Sequence, residues 1–372
     1  MRPPRPHQPV ARRPLDEGAA LSPALHRRPR EVAILLGLVI LLGGVFLLSL
    51  AVGSTSVPLW RVLQALMGTS PERDAAVVVV EAIRLPRALT AMLAGASLGI
   101  AGLQMQTLFR NPLADPFALG ISSGASLGVA LVVLGTGYGA AAVFGASMGV
   151  GGDALVTVAA IVGAAVVLGL VLLVSSRIES PTTVLILGLM FGYAVSALVT
   201  VLVGASQPER LQQWAQWGFG SFSGVTWQRL RVFGPVTLVG VLVASATTKQ
   251  LNALLLGEHY ARSMGLAVRR ARLLTMLGAS VLGAVVTAFC GPIAFLGIAV
   301  PHLCRGLLGT SDHRILVPAV VFMGATVALV AQIASLLPGS AGVLPLNAVT
   351  SLLGAPVVVA VLLRSRRGTF AG

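Results

Sequence analysis

Residues 88–109 run without a single ionisable side chain and end in Arg110-Asn111-Pro112-Leu113-Ala114-Asp115-Pro116. At ~1.5 Å of rise per residue, about 20 such residues cross a hydrocarbon core ~30 Å thick, so the run reads as a membrane span. Pro112 and Pro116 deny the following residues a regular helical ladder, and a second apolar run begins at Phe117. Lipid cannot satisfy bare backbone groups. The broken stretch therefore lies at the interface, inside protein or beside water, and a stretch of that kind borders a path or a partner.

The rest of the chain extends the same reading. Of 372 residues 56% are hydrophobic and 10% charged, with mean hydropathy +0.90, the balance of a polytopic membrane protein. The 43 glycines suit helices that pack closely through small residues. Apolar runs predict an all-α transmembrane helical bundle of about ten spans, near 32–52, 88–109, 117–136, 154–174, 183–204, 230–248, 272–290, 293–308, 315–337 and 344–363. Residues 1–30, with seven arginines among repeated prolines, read as a disordered basic tail. Residues 31–367 make the membrane domain and 368–372 a short C-terminal tail. An even span count puts both termini on one side. With that side cytoplasmic, 19 of the 26 basic residues face inward, and 12 against 7 without the tail. The charge of +14 is thus mostly topological, and nucleic-acid binding is not expected. Gly-Ala-Ser at 95–97, a proline break and Phe-Ala-Leu-Gly-Ile at 117–121 are echoed by Gly-Ala-Ser at 278–280, Gly291-Pro292 and Phe-Leu-Gly-Ile at 295–298, the pattern of two inverted five-span repeats.

Chemistry is conspicuous by what the chain lacks. Lys249 is its one lysine, preceded by Thr247 and Thr248, so no GxxxxGK[ST] loop exists to hold ATP, and no HExxH motif occurs. No catalytic residue, cofactor or metal ligand is assigned, and the chain reads as a transport subunit rather than an enzyme. The carboxylates sit in connections or at span ends, with Asp115, Asp153 and Glu179 closest to the membrane, which argues against an ion-coupled secondary carrier. A membrane enzyme or assembly scaffold would want a polar cluster with nucleophile and base, which the sequence does not supply. His302 and Cys304 suggest a haem or metal pair, but a span-end histidine satisfying terminal carbonyls explains the site better. Cys290 and Cys304 fall toward opposite faces and predict no disulfide. Trp60, Trp214, Trp217 and Trp227 lie in expected outer loops, where interfacial anchoring accounts for them. The hydroxyls of Ser175, Ser176, Ser180, Thr182 and Thr183 read equally as turn chemistry or as lining of an exit.

Arg-Leu-Pro-Arg at 84–87, Arg-Asn-Pro-Leu-Ala-Asp-Pro 23 residues further on, and Leu-Gly-Ile-Ser-Ser-Gly-Ala-Ser-Leu-Gly at 119–128 together resemble the signature of the FecCD or BtuC-like permeases. These are the membrane subunits of binding-protein-dependent ABC importers for iron-siderophore complexes, haem and cobalamin. With the later stretches 291–305, 310–314 and 344–356 the resemblance covers about residues 30–367. It implies a homodimer with the path between the subunits, a separate ATP-binding cassette ATPase, and an extracellular or periplasmic substrate-binding protein. The setting it implies is the cytoplasmic membrane of the cell, with both termini in the cytoplasm.

The resemblance also assigns roles. Arg84 and Arg87 would meet acidic groups of the docking protein, although snorkelling to headgroups accounts for them as well. A third docking arginine of the family falls at Ser335, and its usual neighbouring Asp at Gln332. Asn111 and Leu113 would narrow the inner mouth of the path, and Asn111 can equally tie the broken backbone. In 251–270 two short helices hinged at Gly257 are expected, and the resemblance makes Leu251, Asn252, Leu254, Gly257, Glu258, Ala261 and Gly265 the element that couples to the ATPase. Met264 stands where the family usually has Leu, and Asn347 where many members have Gly. Ferric siderophore is the expected substrate on prevalence, with haem or cobalamin the alternative.

Overall fold

The computed structural model describes residues 22–53, 56–69, 75–147, 152–178, 180–336 and 343–369. The chain begins with α1 (Ser22–Ala51), α2 (Leu59–Met67) and α3 (Ala75–Val79), which continues through a π-helical turn, Val80–Arg84, into α4 (Leu85–Phe109). After a 3₁₀ turn, Pro116–Leu119, come α5 (Ile121–Ser147), α6 (Gly152–Ser175), α7 (Pro181–Gly204), α8 (Pro208–Gly218) and α9 (Trp227–Ala246). A short pair, α10 (Thr248–Leu255) and α11 (Glu258–Ser263), precedes α12 (Val268–Cys290), α13 (Leu296–Leu308), α14 (His313–Ser335) and α15 (Leu346–Thr369).

The ten expected spans are α1, α4, α5, α6, α7, α9, α12, α13, α14 and α15. Six described helices are long and apolar enough to cross on length and composition alone, while α5, α13 and α15 carry shorter apolar stretches. α13 has only 13 residues because its helix starts after a break at Gly291–Phe295, where Phe295 adopts φ 68°. α1 begins at Ser22, inside the stretch read as a basic tail; residues 1–21 of that tail lie outside the described residues, as does Glu179.

α4 is the axis of the bundle. Every residue from Ala94 to Phe109 is buried, with α14, α12, α13 and α9 packed around it. A helix enclosed by other helices can carry Ser97, Gln104, Gln106 and Thr107, all of them buried. Glycines set the spacing. A Cβ on Gly95 would lie 2.1 Å from the Gly324 carbonyl oxygen, and one on Gly102 would lie 1.8 Å from that of Gly297. On the other side of the bundle, Gly124 and Gly128 of α5 meet Gly163 and Ala159 of α6 at the same backbone-to-backbone range. Contacts this close replace the hydrophobic drive that lipid removes.

The four tryptophans divide by burial. Trp60 and Trp227 are exposed, whereas Trp214 and Trp217 sit on α8 and pack against the core. The local sequence shows α8 as polar, but its two rings lie on one face three residues apart and are drawn inward.

Gly102→Val should cost about 3 kcal/mol or more, because backbone rather than a flexible side chain occupies the space. Thermal unfolding in detergent should show a large drop for Gly102→Val and little change for Gly43→Val, since nothing lies within 4 Å of a Cβ at Gly43.

Candidate functional site

The break after α4 is built from short-range bonds. Arg110 ends the helix at φ 46°, and the Asn111 Oδ1 accepts the Leu113 N–H at 2.9 Å. The Asp115 Oδ1 then accepts the Phe117 N–H at 2.8 Å and caps the 3₁₀ turn. Asn111 is thus a backbone tie, while Leu113, 38% exposed, projects from the break. His302 donates through Nε2 to the Pro112 carbonyl at 2.8 Å and pins the break to α13. His302 stands two residues before a fully buried Cys304. Among the described residues no group of three His, Cys, Asp or Glu side chains converges. The serines of the 175–183 connection make local bonds: Ser175 to the Leu172 carbonyl, Ser176 to the Leu173 carbonyl, and Ser180 accepting the Thr183 N–H.

Next to the break stands the α10–α11 pair, hinged at Gly257 with φ 114° and closed by Gly265 with φ 84°. Of the residues assigned to coupling, Leu251, Leu254 and Ala261 are buried within this chain. They anchor the pair and present nothing to a partner. The side chains that face outward are Leu255, Leu256, Tyr260 and Met264, which the motif-based reading passes over. Sequence does carry a signal for them, since Leu255 and Leu256 complete a triple leucine of which a short helix can bury only one side. Between the two helices lies a groove of about 500 Å³ lined by Lys249, Ala253, Leu256, Met264, Leu266 and Arg314, apolar with a basic rim. Glu258 is spent internally, paired with Arg272 and, at 3.6 Å, with Arg262.

Asn252 does the most work in the pair. Its Nδ2 donates to Asp312 Oδ1 at 2.7 Å, and its Oδ1 accepts from the His313 N–H at 2.9 Å and from His313 Nδ1 at 2.8 Å. His313 Nε2 in turn meets the Thr107 hydroxyl of α4 at 2.9 Å. Two further bonds join α4 to the same element: Gln104 Nε2 to Thr247 Oγ1 at 3.1 Å, and Arg110 Nη2 to the Leu254 carbonyl at 3.2 Å. Partial burial raises the Asp312 carboxyl, but the Arg314 N–H, the Asn252 amide and nearby positive charge outweigh it and hold Asp312 below the usual range.

The opposite end holds the expected docking arginines. Arg84 is 6% exposed, and its Nη1 donates to the carbonyls of Leu50 and Ala51, both at 2.8 Å, closing the end of α1. The corner packs Gly53 against this guanidinium, and a Cβ there would stand 2.7 Å from Arg84 Nη2. Arg87 is half-buried and lies beside it. Ser335 is buried, with its hydroxyl on the Gln332 carbonyl, and it offers no docking charge. Asn347 stitches the second break: its Oδ1 accepts the Ala294 N–H and its own N–H reaches the Phe219 carbonyl, each at 3.0 Å.

Ten spans, one of them an enclosed central helix, with an angled pair of short helices tied to that helix's end beside a backbone break, define a membrane transport subunit, a permease of the ABC importer class. The chain belongs to the FecCD transport family, whose model matches residues 38–364. It is similar to the vitamin B12 import system permease protein BtuC of Klebsiella pneumoniae, 38% identical over 334 residues, or 89% of this chain and 94% of that one. It is 37% identical to BtuC of Salmonella paratyphi A over 287 residues, 77% of this chain and 83% of the relative. A solved structure described as a metal-chelate type ABC transporter in an inward-facing conformation superposes with a TM-score of 0.76 at 28% identity, over 89% of this chain and 99% of the other. PsaBC from Streptococcus pneumoniae, at 19% identity and a TM-score of 0.50 over 74% of this chain and 89% of that one, shares the fold alone.

Asn252→Ala removes three hydrogen bonds at once and should loosen α10 locally by about 2 kcal/mol. Hydrogen exchange of residues 248–256 should speed up by roughly 30-fold while α6 and α7 stay unchanged. Because Asp312 is depressed, its share of this attachment is present above about pH 3.9, the unfolded value, and is lost only as pH falls through the lower folded value.

Proposed function

We propose that this permease moves a metal chelate across the cytoplasmic membrane as a homodimer, driven by ATP hydrolysis on a separate cassette ATPase. The observation that carries the reading is the α10–α11 pair. It offers an apolar edge and a basic-rimmed groove outward, while its inner side is bonded to α4 through Gln104 and Arg110 and, by way of His313, to Thr107. An ATPase gripping Leu255, Leu256, Tyr260 and Met264 would push the end of the central helix and, with it, the break that carries Asn111 and Leu113. That alternation needs two states of the dimer, and each partner must favour one of them by a few kcal/mol.

Both termini and the α10–α11 pair then face the cytoplasm, as the inward bias of basic residues supports. A substrate-binding protein docks at the other end, with Arg87 the available guanidinium and Arg84 serving as the clasp beneath it. The names of the relatives favour cobalamin as the chelate, and the prevalence of iron uptake among permeases with these motifs favours ferric siderophore. Affinity of the partner binding protein for each chelate decides between them.

In proteoliposomes, uptake should require the ATPase. Leu256→Asp and Tyr260→Asp should each cut uptake and binding-protein-stimulated ATP hydrolysis by at least about tenfold, roughly 1.4 kcal/mol of coupling, with the fold intact. Uptake without any ATPase would overturn the reading.

A further inference from the structure

Spans α6 and α9 both pack on α12, and a crevice opens between them at the end of the molecule opposite α10–α11. Two cavities meet there. One, about 820 Å³, is apolar and lined by Val158, Ile161, Val232, Val236, Val285 and Phe289. The other, about 390 Å³, is of mixed polarity and carries Gln213, Gln216, Trp217 and Ser221. Asp153, Thr157, Arg229 and Phe289 line both and form the boundary. The apolar cavity lies in the size range of ligand sites, roughly 300–1,000 Å³, and its walls are outward faces of membrane spans.

The boundary is charged and preorganised. Arg229 is held by Thr157 Oγ1 at 2.7 Å and by the Gly224 carbonyl at 2.9 Å, with its guanidinium carbon 5.4 Å above the Phe289 ring. Those bonds use two of the five N–H donors of a guanidinium. Among the described residues Arg229 forms no ion pair, and the exposed Asp153 carboxylate lines the same cavity without neutralising it. One positive and one negative group therefore stand at the junction of a chamber of mixed polarity and a greasy one.

We propose that this crevice is a binding site for one phospholipid of the ethanolamine class. Its phosphate sits on Arg229, its ammonium on Asp153, and one acyl chain lies along Val158, Ile161, Val232 and Val236. The pair of charges selects the headgroup. Choline carries no N–H to donate to Asp153, and a phosphatidylglycerol head brings a phosphate without the cation that Asp153 attracts. The occupant fills the gap between α6 and α9 and so braces both against α12. The site is independent of what the permease transports, and its test reads lipid retention rather than uptake.

The full chain, purified in mild detergent, is offered phosphatidylethanolamine, phosphatidylcholine and phosphatidylglycerol with identical acyl chains, and retained lipid is counted by native mass spectrometry. One phosphatidylethanolamine per chain should be kept over either competitor by about tenfold, the factor one charge-assisted hydrogen bond supplies. Asp153→Asn should erase the preference over phosphatidylcholine, and Val232→Trp, which fills the acyl groove, should reduce retention of all three by a similar factor. Size-exclusion profile and melting temperature establish that each variant is folded. Equal retention of the three lipids, preference for phosphatidylglycerol, or an unchanged preference in Asp153→Asn would each overturn the proposal.

Discussion

The close contact of α4 with α13 and α14 is the constraint from which the rest of this bundle follows. Water gives no help to helix association in lipid, so the central helix holds its neighbours by backbone-range packing at Gly95–Gly324 and Gly102–Gly297. Once α4 is enclosed, its polar side chains lose every partner except protein. Gln106 then bonds the Ile298 carbonyl, and Gln104 and Thr107 reach to Thr247 and His313. Burial of the helix thus creates the need for these bonds, and the bonds join it to the elements around its end.

This arrangement gives the molecule two unlike ends. At one, Arg84 closes the carbonyls of α1 and packs its guanidinium against Gly53. At the other, the break after Phe109 and the α10–α11 pair are joined to α4 and to each other through Arg110, Asn252 and His313, with an apolar edge left outward. Force applied to that edge has a short covalent and hydrogen-bonded route to the central helix.

Hydropathy was enough to read the ten spans, the break at Asn111–Pro116 and the hinge at Gly257, because each depends on chain-local physics: the length of an apolar run, the missing N–H of proline, and the freedom of glycine at positive φ. The assignment of site residues was less complete. Leu251, Leu254 and Ala261 belong to the coupling motif, yet they face inward, while Leu256 and Tyr260 next to them face out. A motif records which residues a segment needs without saying which side of an eight-residue helix is covered by the rest of the chain. Trp214 and Trp217 fall in the connection between α7 and α9, as read, but which of their faces the core covers was not legible for the same reason.

What the sequence determined by itself, then, is the class: a many-span helical permease without a nucleotide loop, interrupted at set places, since these follow from composition, spacing and motif. Only the tertiary structure decided that α4 is the enclosed axis, that Arg84 is a clasp and Asn252 a three-bond tie, and that α6 and α9 stand apart over α12. Those outcomes depend on which faces of distant segments meet. No local property of α4 distinguishes it as the inner helix, because α9 and α12, which pack outside it, are no more apolar than it is.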